Sequence, residues 1–276
     1  MSFNFCIAGT GKIYLNSHRG YSTLFPENTL PAFQGALKAG TSTIEIDIAM
    51  TADNQIVVIH DPSVERTSNG QGYVELMTYA ELAALDFGGW FSPEFEGTKI
   101  LLLTEALLWA MENNVGLVVE AKQRRRRDAF VLELSTLLKR IPKALDHIQL
   151  LAFDHVLINQ VKKRVPEVNL QVVTLARYNN QLSAVLNSRA DCVCFEYPNA
   201  HVEDLVAYKE AGLCTRLYLP TKENNEDTTL FFNRQFGYDV RGEIIGWMRD
   251  GLIDMISHDD IAMLRSLADE AGLEGI

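Results

Sequence analysis

The chain has 276 residues, 47% hydrophobic and 22% charged, the make-up of a globular protein with enough apolar material for one large core. A formal net charge of −11 argues against a nucleic-acid partner, so any anion site has to be basic locally. Four cysteines, Cys6, Cys192, Cys194 and Cys214, lack C-x-x-C spacing and read as buried free thiols, which points to a reducing, cytoplasmic setting.

The opening MSFNFCIAGTG has neither a basic stretch nor a long apolar run, and ILLLTEALLWAM is short and broken by Thr104 and Glu105. No export signal and no stable membrane insertion are expected. The first strand-like run, KIYLN, leads to His18, Arg19 and Gly20. PENT follows, where Asn28 or Thr29 caps a helix beginning near Pro31 and Glu27 needs no further role.

TIEIDI places Glu45 and Asp47 on one face and Ile44, Ile46 and Ile48 on the other. QIVVIH comes after a turn at Asp53-Asn54. If that turn has two residues, positions whose numbers sum to 107 oppose one another, and His60 stands across from Asp47. From Asp61 to Lys99, turn signals and one short helix, capped by TYAE from Thr78, read as an insertion after the second strand. Within it, Trp90 and Phe91 either line a leaving-group pocket or anchor a small core.

GLVVE ends with Glu120 and Lys122 on one face. The run Arg124–Arg127 reads as a solvated helix start, with a second reading in which Arg124 or Arg125 meets an anionic head group. IQLLAF, LQVVTL, CVCFE, CTRLYL and DMIS then alternate with helical patterns such as DAFVLELSTLLKRI. Glu196, at the end of CVCFE, is a candidate substrate contact. Lys222 to Thr229 reads as a solvated loop, and His201 and His258 have no assigned role.

Eight strand-then-helix units predict an α/β protein, a (β/α)₈ TIM barrel as a single domain over 1–276, with a small insertion subdomain at 61–99. A doubly wound open sheet fits the same alternation. In a barrel, His18, Arg19, Glu45, Asp47, His60, Glu120 and Lys122 converge on the C-terminal mouth. Three carboxylates there would repel one another unless a cation lay among them, and all-oxygen ligation suits one Mg²⁺ or Ca²⁺. Beside Arg19 and Lys122 the natural occupant is a phosphate, and two flanking histidines suit proton transfer in phosphodiester cleavage.

HRG, PENT, IEIDIAMTADNQIVVIHD, RTSNGQG, ELAALDFGGWF and VVEAK together resemble the signatures of the glycerophosphodiester phosphodiesterases, over about Tyr14 to Lys122. The resemblance implies a metal-dependent barrel that releases an alcohol from glycerol 3-phosphate diesters. It implies His18 and His60 as the acid–base pair, Glu45, Asp47 and Glu120 as holders of the ion, and Arg19 and Lys122 as phosphate contacts. The C-terminal half is less similar: YLPT from Tyr218 stands for Trp-Thr-Val-Asn, SHDD from Ser257 for Thr-Asp-x-Pro, and ILLLTEAL for Ile-Pro-x-Leu. The alcohol therefore stays open. Alternatives are a lysophospholipase D or sphingomyelinase D-like barrel acting through a cyclic phosphate, and a non-catalytic barrel that binds a diester. The expected partner is a small-molecule diester; the oligomeric state is not set by these residues.

Overall fold

The computed structural model describes residues 3–222 and 226–276. Its strands are short and buried on both faces, the pattern of a parallel sheet covered by helices outside and filled by side chains inside. They are β1 (Lys12–His18), β2 (Thr43–Met50), β3 (Ile56–Val58), β4 (Gly116–Ala121), β5 (Ile148–Ala152), β6 (Asn169–Thr174), β7 (Cys192–Glu196), β8 (Cys214–Tyr218), β9 (Met255–His258) and β10 (Glu274–Gly275). The helices are α1 (Leu30–Lys38), α2 (Tyr79–Ala84), α3 (Leu103–Asn113), α4 (Arg127–Arg140), α5 (His155–Arg164), α6 (Gln181–Asn187), α7 (Val202–Glu210), α8 (Thr228–Phe236), α9 (Val240–Arg249) and α10 (Ile261–Ala271).

Among the described residues, eight parallel strands form a closed ring in the order β1, β9, β8, β7, β6, β5, β4, β2, because β1 pairs with both β9 and β2. Closure excludes the doubly wound alternative, whose sheet keeps two free edges. The main core lies between strands and helices, where outward residues such as Ile44, Ile46 and Ile48 meet Phe33, Leu107 and Phe130. Each such side chain contributes about 1.5–3 kcal/mol through burial. This allows β2 to carry Glu45 and Asp47 on its inner face, both essentially inaccessible to solvent.

Three sequence expectations need correction. The β2–β3 hairpin pairs Ile48 with Val58 and Met50 with Ile56, so opposing numbers sum to 106 rather than 107. The Thr51 N–H donates to the Gln55 carbonyl at 2.9 Å, leaving Ala52, Asp53 and Asn54 as a three-residue loop that Asn54 closes at φ 64°. His60 is thus not the cross-strand partner of Asp47; regular pairing ends at Val58, and His60 reaches the mouth from the loop beyond.

The second correction concerns the thiols. Cys6 and Cys214 form a disulfide, while Cys192 and Cys194 are free and buried. The segment before β1 crosses the N-terminal end of the barrel, where Phe5 and Ile7 pack on Tyr14, Val118, Leu151 and Met255, bringing Cys6 to the start of β8. The third is the Lys222–Thr229 loop. Glu223 to Asn225 lie outside the described residues, and α8 already begins at Thr228, with Thr228 and Thr229 buried and Asp227 as N-cap.

The segment between β3 and α3 carries α2, with the capping box at Thr78 and Glu81. Val64, Val74, Leu82, Phe87 and Ile100 pack there with Val57 and Ile59 in a small cluster of their own. No helix among the described residues is long and apolar enough to cross a membrane.

Candidate active site

The mouth is shaped first by the backbone after β1. Arg19 and Gly20 both have left-handed φ, 60° and 83°. A Cβ on Gly20 would lie 2.7 Å from that of Ala32, so only glycine allows the turn and the close approach of α1. The Arg19 N–H donates to the Glu45 carbonyl at 2.9 Å, which holds the guanidinium over β2. Thr29 caps α1. Asn28 does other work: its Nδ2 donates to Asp47 Oδ2 at 2.9 Å and its Oδ1 accepts from the Asp47 N–H at 3.2 Å.

Glu45, Asp47 and Glu120 each offer one carboxylate oxygen within 4.8 Å of the others, and all three residues are buried. Lys122 Nζ lies 2.7 Å from Glu120 Oε1 and 3.3 Å from Asp47 Oδ1, and Arg19 Nε lies 3.3 Å from Asp47 Oδ2. Burial, and then the charge of Asp47, pushes the Glu45 carboxyl up to about 7 and raises Glu120 as well. Burial would raise Asp47 too, but Lys122 and Arg19 outweigh it and hold that carboxyl below the usual range. Glu45 Oε1 is buried without a hydrogen-bond partner, and Asp47 Oδ1 has only its ion pair with Lys122. Unsatisfied buried carboxylate oxygens are costly, and clustered hard donors fit a divalent cation.

The histidines are each backed by a carboxylate. His18 Nδ1 is 2.6 Å from Asp259 Oδ1, its Nε2 is 3.7 Å from Glu45 Oε2, and its ring lies 5.1 Å from that of Tyr218. Burial would lower its pKa, but Glu45 and Asp259 turn the net shift upward. His60 Nδ1 is 2.6 Å from Asp61 Oδ1, and a hydrogen bond from Arg66 leads the effects that bring Asp61 to about 2. With each carboxylate accepting from Nδ1–H, each Nε2 is left for chemistry in the cavity. Arg66 also grips Glu27 at 2.7 Å and 2.8 Å, and Glu27 in turn pairs with Arg19 at 3.0 Å.

A cavity of about 170 Å³ collects His18, Arg19, Glu45, His60, Glu120 and Lys122 on one wall, and Glu196 also lines it. Arg124 and Arg125 are exposed and do not line it. Arg126 holds the β2–β3 loop through the Thr51 and Ala52 carbonyls, and α4 starts at Arg127. Trp90 donates to the Phe87 carbonyl at 3.0 Å and meets Phe91 edgewise, but Trp90 is exposed, and the pair neither lines this cavity nor belongs to the small core of the insertion. His201 precedes α7, exposed, and buried His258 accepts from the Asp260 N–H.

Sequence reasoning missed Asp259, Asp61, Asn28, Glu27 and Arg66. For Asp61, adjacency to His60 was the available signal. For Asp259 only the shared strand-end position of SHDD and HRG could have pointed to it. The assembled groups can bind an anion and a hard cation together and move protons on two sides of it.

A profile of the glycerophosphoryl diester phosphodiesterase family matches residues 18–263. YhdW of Bacillus subtilis is 35% identical over 176 residues, which is 62% of this chain and 72% of YhdW. The glycerophosphodiester phosphodiesterase of Caldanaerobacter subterraneus is 31% identical over 58% of this chain and 65% of its own length, just under two thirds. Among solved structures, an Oleispira antarctica phosphodiesterase in complex with the product sn-glycerol-3-phosphate has the same fold, with TM-score 0.75 and 21% identity over 94% of this chain and 98% of that one.

Proposed function

The chain belongs to the glycerophosphoryl diester phosphodiesterase family, a family of phosphoric diester hydrolases, and from that premise we propose that it hydrolyses glycerophosphodiesters to glycerol 3-phosphate and an alcohol. The observation that carries this reading is the pair of carboxylate-backed imidazoles on one cavity wall with three buried carboxylates and two cations. Relatives named glycerophosphodiester phosphodiesterase support it.

In this reading Arg19 and Lys122 orient the phosphate by charge-assisted hydrogen bonds. One of His18 and His60 takes a proton at Nε2 from the attacking water; the other, protonated, delivers one to the departing alkoxide, so charge is balanced across the step. Glu45, Asp47 and Glu120 would hold one divalent cation, Mg²⁺ or Ca²⁺, which when bound stabilises charge on the phosphoryl oxygens. Residues 61–99 act as a subdomain inserted in the one barrel domain, supplying Asp61 and Arg66 to the His60 side. No cellular location is proposed, since the free-thiol argument for a reducing compartment falls with the Cys6–Cys214 disulfide.

The test is incubation of purified protein with glycerophosphocholine, with cation or with chelator, followed by phosphorus NMR. Glycerol 3-phosphate as product, formed only with cation, supports the proposal. A cyclic phosphate product, or no turnover, overturns it.

A further inference from the structure

The cavity has two unlike halves. The β1, β2 and β4 side carries the charged groups already described. The β5 to β8 side is walled by Leu151, Phe153, Val173 and Tyr218, with one carboxylate, Glu196, at its rim. Glu196 is the last, partly exposed residue of β7. Phe153 stands half exposed at the same mouth.

Glu196 makes no ion pair among the described residues. Burial raises its pKa, and the cation that opposes this shift is Lys222. Lys222 places its Nζ 4.3 Å from the ring centroid of Phe231 and 5.1 Å from that of Phe232 instead of on the carboxylate. Arg216 lies deeper: it is 3% exposed and donates to Gln171 Oε1 at 3.1 Å and Ser257 Oγ at 2.8 Å. The β7–β8 register sets Arg216 beside Cys194 and Tyr218 beside Glu196, so the guanidinium springs from the strand about 6–7 Å below the rim.

A diester held by its phosphate in the charged half sends one arm along this apolar wall. A polyhydroxyl arm would find few hydrogen-bond partners there and would lose part of its hydration. An ammonium finds a partly desolvated carboxylate with no paired cation at Glu196, and its alkyl groups find Leu151, Val173 and Tyr218, while the Phe153 ring already has Lys122 Nζ 5.8 Å from its centroid. We propose that the β5 to β8 half is the alcohol subsite and that Glu196 selects diesters whose alcohol carries a primary or quaternary ammonium. This rests on the phosphodiesterase reading above.

The experiment compares kcat/KM for glycerophosphocholine, glycerophosphoethanolamine and glycerophosphoinositol in wild type and Glu196→Gln, which keeps the shape and removes the charge. Expected is a preference for the two cationic esters in wild type, and an approximately tenfold fall in the choline-to-inositol ratio in the variant, equivalent to one ion-pair or cation–π contact. If both esters lose equally, Glu196 serves the glycerol arm and the proposal is overturned; an unchanged ratio overturns it too. Direct titration with choline separates this proposal from the parent reading. If no diester is turned over, the parent reading fails, yet choline should still bind wild type and bind Glu196→Gln about tenfold more weakly. Equal binding to both proteins sinks the subsite. The choline and ethanolamine arms show whether methylation adds to the charge.

Discussion

His18 Nδ1 meets Asp259 Oδ1 at 2.6 Å across 241 residues of sequence, tying the end of the first barrel strand to the loop after the last. The contact fixes the imidazole so that Nε2 faces Glu45 and the cavity, and it favours the protonated ring. Asp259→Asn keeps the volume and removes the charge. It should lower kcat by about 10- to 100-fold and shift the His18 limb of the kcat/KM pH profile to lower pH. A profile that falls in height without moving would mean Asp259 does not act through His18.

Protonation of Glu45 makes the cation-free protein sensitive to pH in an unusual direction. Its folded pKa is about 7, against 4.5 for the free side chain. Between those values the folded state holds a proton that the unfolded chain has released, so stability falls as pH rises. The contribution is complete below 4.5 and gone above about 7. Thermal unfolding of chelator-treated protein should show Tm declining through this window. Glu45→Gln should flatten that decline, and added Mg²⁺ or Ca²⁺ should raise Tm more at pH 8 than at pH 5.

Asn28 and Thr29 are neighbours with separable effects. Asn28 holds Asp47 through two hydrogen bonds, whereas Thr29 Oγ1 caps α1 and donates to the Pro26 carbonyl at 2.5 Å. Asn28→Ala should weaken cation binding about 10- to 100-fold, as loss of an outer partner of a ligand does. Thr29→Ala should cost about 1 kcal/mol of stability and leave cation affinity within twofold of wild type, or about 0.4 kcal/mol. Calorimetric titration and denaturant unfolding of the two variants check both statements.

Thiol counting tests the covalent tie at the barrel's closed end. Cys192 and Cys194 are free and buried, and burial pushes the Cys194 thiol up to about 11. Native protein should show no rapidly reacting thiol, denatured protein two, and denatured, reduced protein four. Because the disulfide joins residues 208 apart, its reduction should destabilise the fold by about 2–5 kcal/mol. Two fast thiols in the native protein would contradict the burial described.

Local patterns carried the barrel and the inner carboxylates into view. Alternation of apolar runs and helical spacing is a property of each segment, and Glu45 and Asp47 stand out because charge two residues apart on a strand this apolar must face something specific. What was hidden depended on one residue's backbone or on remote pairing. The left-handed Asn54 made the hairpin loop three residues long, which changed the partner of every β3 position. Cys6 and Cys214 carry no spacing signal at a separation of 208. Asn28 reads as a helix cap, since a cap and a site partner draw on the same residue types, and that reading leaves Glu27 without a role. Asp259 belonged to a stretch that departs from the family signature, yet it is the side chain that orients His18.

The most direct test is anomalous diffraction from crystals of this protein grown or soaked with Mn²⁺, a hard cation that accepts the same oxygen ligands. The expected result is one strong peak bounded by Glu45, Asp47 and Glu120, lost in Asp47→Asn. A map with no density among those carboxylates, from protein that still cleaves glycerophosphocholine, would contradict the account.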